Sequence, residues 1–218
     1  MITTESGNRQ VMMGIIDYGV GNLGSLVNIL KRIGVRAFVS RSTDELAGAS
    51  HLILPGVGRF DHGITKLRQL GLHETLKKLV LDEKKPLLGI CLGMQLLCNY
   101  SEEGDQPGLG WIDATVTKFV APADNTGLRI PHMGWNSVSF RPDSVLFQDP
   151  FPEERFYFTH SYKVACKRPS DVVGTTRYGD EFVSVFNSGN VFGVQFHPEK
   201  SLKNGMKLLG NFARYKGS

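Results

Sequence analysis

Two stretches carry side chains whose type and spacing suit nucleophilic chemistry. The first is Gly89-Ile90-Cys91-Leu92-Gly93. It closes a short apolar run, Pro86 to Ile90, of strand character, and leads without a spacer into Met94-Gln95-Leu96-Leu97, the opening of a helix. G-x-C-x-G at such a junction is the cysteine form of a nucleophile elbow, a sharp turn that lifts the nucleophile above the sheet edge. Glycines leave room where flanking Cβ atoms would collide as the chain reverses. A sulfur at a helix N-terminus faces unpaired N–H groups and the positive end of the helix dipole, which favour thiolate over thiol. The Leu92 N–H is placed to donate to an oxyanion. The pentapeptide also reads as a plain buried strand end in which Cys91 is a small hydrophobe, the usual fate of a free cysteine.

The second stretch is His197-Pro198-Glu199, directly after the apolar run Val191 to Phe196. Residues i and i+2 of an extended chain project to one side, and Pro198 is expected to hold that geometry while forbidding a helix. His197 and Glu199 then stand as a base and the carboxylate that fixes its tautomer, or as an ordinary surface pair at a strand end. One histidine and one glutamate are too few for a metal site, and no H-E-x-x-H accompanies them. Pro55-Gly56-Val57-Gly58 lacks the Lys-Ser/Thr of a phosphate loop; its glycines would let backbone N–H groups approach an anion, or simply make a turn. Pro131-His132-Met133-Gly134-Trp135-Asn136 and Phe158-Thr159-His160-Ser161-Tyr162 gather polar and aromatic types in places that read as loops, either a binding edge or a rim. Cys98 faces the core and reads as structural; Cys166 has no partner motif.

Elements able to position these residues are legible as alternating periodicities. Val11 to Asp17, Val35 to Val39, His51 to Leu54 and Pro86 to Ile90 are strands. Leu23 to Ile33, a short helix capped by Thr43 or Asp44, and segments near Asp61–Leu70 and His73–Glu83 are helices. Strands and helices in alternation with short loops imply an α/β fold, a mainly parallel central sheet with helices on both faces. Ligands of such sheets bind outside the carboxyl ends of the strands, where Tyr18–Asn22, Pro55–Gly58 and Cys91 all fall. After Tyr100 the segments become short, aromatic or β-branched and punctuated by turn residues, so an antiparallel extension is expected, closed by a helix from Leu202 to Tyr215. With 41% hydrophobic and 21% charged residues, the chain of 218 residues suits one domain over 13–218, with residues 1–12 as a flexible extension. A net charge of +4 with no basic run beyond two or three residues argues against nucleic acid. No apolar stretch approaches a membrane span, no signal core is present, and three cysteines without C-x-x-C fit a reducing cytosol.

Taken together, Gly89-Ile90-Cys91-Leu92-Gly93-Met94-Gln95 and His197-Pro198-Glu199 resemble the class I, or triad, glutamine amidotransferases, whose fold is flavodoxin-like. Tyr18-Gly19-Val20-Gly21-Asn22-Leu23, Pro55–Gly58, Pro131–Asn136 and Gln195–Ser201 resemble one branch, the glutaminase subunits of imidazole glycerol phosphate synthase in histidine biosynthesis, and the likeness runs from Met13 to the C-terminus. The resemblance implies a Cys91–His197–Glu199 triad that hydrolyses glutamine through a thioester. It further implies oxyanion donors at Leu92 and in Gly56, Val57 and Gly58, and a glutamine grip from Gln95, Glu103, His160, Ser161 and Tyr162. No metal or cofactor is implied. The implied partner is a (β/α)8-barrel cyclase that receives ammonia through a tunnel, met by Asn22, Met133, Trp135 and Lys200. Gly110-Trp111-Ile112-Asp113 and Arg155–Tyr162 also look like paralogues that serve acetamidino-sugar synthesis. A cysteine peptidase on a related scaffold and a non-enzymatic binding subunit are the readings from other classes.

Overall fold

The computed structural model describes residues 11–120, 129–148, 151 and 154–217; residues 1–10 of the expected extension lie outside them. The first half alternates β1 (Met12–Ile16), α1 (Leu23–Arg32), β2 (Arg36–Ser40), α2 (Thr43–Ala47), β3 (His51–Leu54), α3 (Phe60–Gln69), α4 (Leu72–Lys77), β4 (Leu87–Ile90) and α5 (Leu92–Leu96). The second half holds β5 (Tyr100–Ser101), β6 (Ala114–Lys118), β7 (His132–Ser137), β8 (Ser139–Phe140), β9 (Arg155–His160) and β10 (Tyr162–Cys166). It continues with β11 (Val172–Tyr178), β12 (Asp180–Ser188), β13 (Val191–Val194) and α6 (Leu202–Arg214). β1 begins at Met12, one residue before the expected domain boundary.

Strands β2-β1-β3-β4-β13 run parallel, and β12, β10 and β6 extend the sheet antiparallel from β13. Parallel strands covered on both faces read as continuous apolar runs, and the four residues of β3, β4 and β13 are all buried. Alternate residues divide between two cores. Met13, Ile15, Ile53, Leu88, Ile90, Phe192 and Val194 pack with Leu26 and Leu30 of α1 and Leu208, Leu209 and Phe212 of α6. Ile16, Leu52, Leu54 and Leu87 pack on the other face with Leu46, Phe60, Ile64, Leu67, Leu76 and Leu92 from α2 to α5. Each such side chain contributes about 1.5–3 kcal/mol of burial, so the β4–α5 junction is clamped from both sides.

Several local expectations are corrected. Ser42, rather than Thr43 or Asp44, caps α2, its oxygen accepting the Glu45 N–H at 3.5 Å; a cap stands outside the helix and reaches the third helical amide. The expected helix to Glu83 leaves α-geometry at Lys77 for a π-helical turn, Lys78–Asp82. Pro131–Asn136 is not a loop: from His132 it is β7, paired antiparallel with β9 in a separate two-stranded sheet. Phe158–Tyr162, which reads loop-like in its residue types, lies in the antiparallel segment expected near Phe156–Val164; it is strand broken only at Ser161, where the chain passes from β9 to β10 and so from the small sheet to the large one.

Candidate active site

Cys91 sits between β4 and α5 with φ 52° and ψ −110°, a left-handed backbone that a non-glycine residue adopts at a cost of about 1–3 kcal/mol. Its amide donates to Val194 O at 2.8 Å, extending the β4–β13 ladder by one bond into the turn. The flanking glycines are needed for space: a Cβ on Gly93 would lie 1.8 Å from Leu54 O, and one on Gly89 would lie 2.8 Å from Gly93 O. The elbow therefore packs directly on the carboxyl end of β3. There Pro55–Gly58 begins, tethered by the buried Tyr18 hydroxyl, which donates to Pro55 O at 2.6 Å. Burial, and then the charge of the Cys91 sulfur, push the Tyr18 phenol up, so it remains a neutral donor.

His197 lies beyond β13, its amide bonded to Tyr157 O at 2.9 Å and its carbonyl accepting from the Ser201 hydroxyl at 2.6 Å. The expected extended geometry is corrected here. Pro198–Lys200 is a 3-10 turn with proline at its first position, where a missing N–H costs nothing and the fixed φ helps. That turn, not a strand, brings Glu199 back onto the ring, with Nδ1 to Oε1 at 2.8 Å. The carboxylate requires the proton on Nδ1, leaving Nε2 buried and without a hydrogen-bond partner. Burial opposes charge on His197, but the sulfur of Cys91, and after it Glu199, prevail and raise its pKa to about 10. The imidazolium is thus the form that the sulfur and the carboxylate jointly hold.

Cys91 and His197 open onto one cavity of about 370 Å³, walled also by Val57, Gly58, Arg59, Leu92, Gln95, Glu103, Pro131, Thr159, His160, Ser161 and Tyr162. Of the oxyanion and substrate residues expected from sequence, only Gly56 is absent from this wall; it is packed behind, where a Cβ would come within 2.6 Å of the Tyr18 hydroxyl. Glu103 has a second task, since its Oε2 accepts the Phe60 N–H that opens α3 at 2.8 Å. Pro131 and Thr159 fall within the two stretches read from sequence as a binding edge or a rim, whereas Arg59 lies outside every stretch named there. A cation directly after a glycine turn is itself a signal for a carboxylate-bearing ligand. Among the described residues no cluster of three or more His, Cys, Asp or Glu is set to hold a metal.

Both ring nitrogens of His160 are engaged: Nδ1 bonds Tyr162 O at 2.7 Å and Nε2 bonds His132 Nδ1 at 3.0 Å. Burial drives His160 down to about 3 and His132 to about 4, so both are neutral. Lowered histidine pKa values mean that the unfolded chain binds more protons below about 6.5, so stability is full above that pH and falls as pH drops towards about 4. Thermal midpoints measured from pH 7.5 to 4.5 should decline across this window, and His132→Asn should flatten the decline; an unchanged slope would show the pair to be uncoupled from folding.

Met133 and Trp135 stand on the outer side of β7, 62% and 41% exposed. The Lys200 ammonium lies over the Tyr157 ring, 5.5 Å from its centre, and Trp135 meets that ring edge-on. Trp135 and Lys200 share a second, larger cavity of about 700 Å³ with Arg32, Arg155, Leu202 and Lys203. Asn22, the residue before α1, is not part of its wall.

A strained cysteine facing a carboxylate-held histidine on a doubly wound sheet is the equipment of an enzyme that attacks through sulfur. The chain belongs to the class I glutamine amidotransferases: the family profile, glutamine amidotransferase class-I, matches residues 14–215. A relative from Methanococcus maripaludis, named imidazole glycerol phosphate synthase subunit HisH 2, is 49% identical over 93% of this chain and 99% of its own. The HisH subunit of Bdellovibrio bacteriovorus is 46% identical over 93% and 99%. In fold, the chain is similar to the PurLQS structure from Thermotoga maritima, with TM-score 0.71 and 19% identity over 93% of this chain and 97% of that one.

Proposed function

We propose that this chain is the glutaminase subunit of an imidazole glycerol phosphate synthase, releasing ammonia from glutamine for a cyclase subunit. The observation that carries the chemistry is the buried His197 ring, held by Glu199 at 2.8 Å through Nδ1 with no hydrogen-bond partner at Nε2, lining one cavity together with Cys91. The sulfur attacks the side-chain amide carbon of glutamine. The C–N bond breaks as His197 Nε2 delivers its proton to the departing nitrogen, leaving a thioester on Cys91 and free ammonia. Neutral His197 then takes a proton from water as its oxygen attacks the thioester carbon, and the C–S bond breaks to release glutamate and return the thiolate beside the imidazolium. The Leu92 N–H and the Val57–Gly58 backbone are the oxyanion donors; removing one such donor typically costs about a hundredfold or more. Arg59 is suited to the substrate carboxylate, and Gln95 and Glu103 to its ammonium.

The cyclase, a (β/α)8 barrel, is assigned to the face of Met133, Trp135 and Lys200, where exposed aromatic, thioether and cationic groups suit an interface core. A cytosolic setting agrees with three free cysteines; among the described residues no helix is long and apolar enough to cross a membrane. The purified chain should release glutamate slowly alone and about tenfold faster or more with a cyclase of the histidine pathway carrying its nucleotide ligand, the scale of a 1–3 kcal/mol coupling. Activity that a cognate cyclase does not raise would transfer the protein to the sugar-modifying paralogues, and hydrolysis of peptides but not glutamine would make it a peptidase.

A further inference from the structure

Gln195 is fully buried, two residues before His197, and takes no part in the mechanism above. Its Oε1 accepts from Gln95 Nε2 at 3.0 Å, and its Nε2 lies 3.7 Å from the Cys91 sulfur. The polarity of this chain is forced from its far end. The Tyr162 carbonyl can only accept, so the Gln95 group facing it at 3.3 Å must be the amino group. The second proton of that group goes to Gln195 Oε1, which turns the Gln195 amino group, and not its oxygen, towards the sulfur. Gln95, with both amino protons engaged, is left to offer Oε1 to the cavity it lines.

We infer that Gln195 is a positioning residue that presents an N–H to the Cys91 thiolate and fixes the acceptor face of Gln95 for substrate. One buried amide thereby links nucleophile reactivity to the substrate wall. A donor aimed at the charged form favours that form, and a buried amide held at both ends pays little reorganisation when the sulfur gains charge.

The part of this inference that concerns substrate rests on the glutaminase reading; the part that concerns sulfur does not, and the test separates them. Alkylation of Cys91 by iodoacetamide, followed by mass spectrometry of its peptide between pH 5 and 10, needs no substrate. Gln195→Met keeps the volume and removes the donor; its profile should move up by about one pH unit, and its KM for glutamine should rise. Gln195→Glu keeps an acceptor for Gln95 but puts an oxygen at the sulfur; it should move the profile in the same direction while sparing KM relative to Met. A folded Met variant whose profile overlays that of the parent overturns the inference, and its apolar volume-conserving change keeps this outcome readable even where the Glu variant fails to fold. A shifted profile in a chain that never hydrolyses glutamine would keep the sulfur assignment and remove the glutaminase reading.

Discussion

Replacing Cys91 with alanine is expected to lower glutamine turnover by about 10⁴-fold or more, the scale seen when a nucleophile is removed from a cooperating triad. Nothing on the cavity wall can stand in for it. The hydroxyls there are those of Thr159, Ser161 and Tyr162, and none of these is held at an elbow between a strand and a helix as Cys91 is. Cys98 is fully buried, its thiol turned to Met94 O at 3.7 Å and pushed up by burial, and it does not line the cavity. Serine at 91 is expected to do little better, because the Cys91 sulfur is the first of the groups that raise His197 towards its charged form, and a serine hydroxyl is a far weaker acid and nucleophile than a thiol. The backbone supplies an independent check. At φ 52° glycine is favoured over any residue with a Cβ, so Cys91→Gly should be more stable than Cys91→Ala by about 1 kcal/mol, the reverse of the usual order at a helix start. Glutamate release and thermal midpoints of the two variants read both effects. Residual turnover in the alanine variant near that of the parent would remove Cys91 from the chemistry, and an alanine variant as stable as the glycine one would remove strain from the elbow.

What could be read from sequence follows from how local its causes are. β1, β3, β4 and β13 are apolar runs because both faces of each strand are covered. The elbow is legible because the clash that excludes a Cβ at Gly93 is with the strand next to it, and α6 because its apolar spacing meets a single core. β7 does not read as a strand because its pattern is inverted: the polar His132 points inward to a neutral His160 among aromatic rings, while Met133 and Trp135 point out. Alternation rules assume the opposite. His197 and Glu199 were paired correctly for a reason that fails, since a 3-10 turn and not an extended chain joins them. Gln195 carries no local signal at all. Its partners Cys91 and Gln95 lie 104 and 100 residues away, and only the β4–β13 register brings them together.

Glutamine in place of Glu199 is expected to lower kcat/KM for glutamine hydrolysis by about 10²–10⁴-fold, although shape and volume are kept. The amide oxygen can still accept from His197 Nδ1, so the ring need not move, but the charge that supports the imidazolium is gone. A further strain arises at the other end of the side chain. Oε2 of Glu199 is buried without a partner, and an amino group there would be a donor with nothing to receive it, inviting the amide to flip and present N–H to N–H at the ring. The stability profile distinguishes lost charge from lost packing. Because His197 titrates near 10 in the folded chain and near 6.5 when unfolded, its contribution is complete below about 6.5 and fades as pH rises towards 10. Without the Glu199 charge the folded value falls, so the fading should finish at lower pH. Thermal midpoints between pH 6 and 10.5 should therefore show the variant losing its pH dependence earlier on the alkaline side. Parallel curves, displaced but identical in shape, would assign Glu199 to packing alone, and unchanged turnover would leave the imidazole orientation to the Tyr157 and Ser201 contacts that hold its backbone.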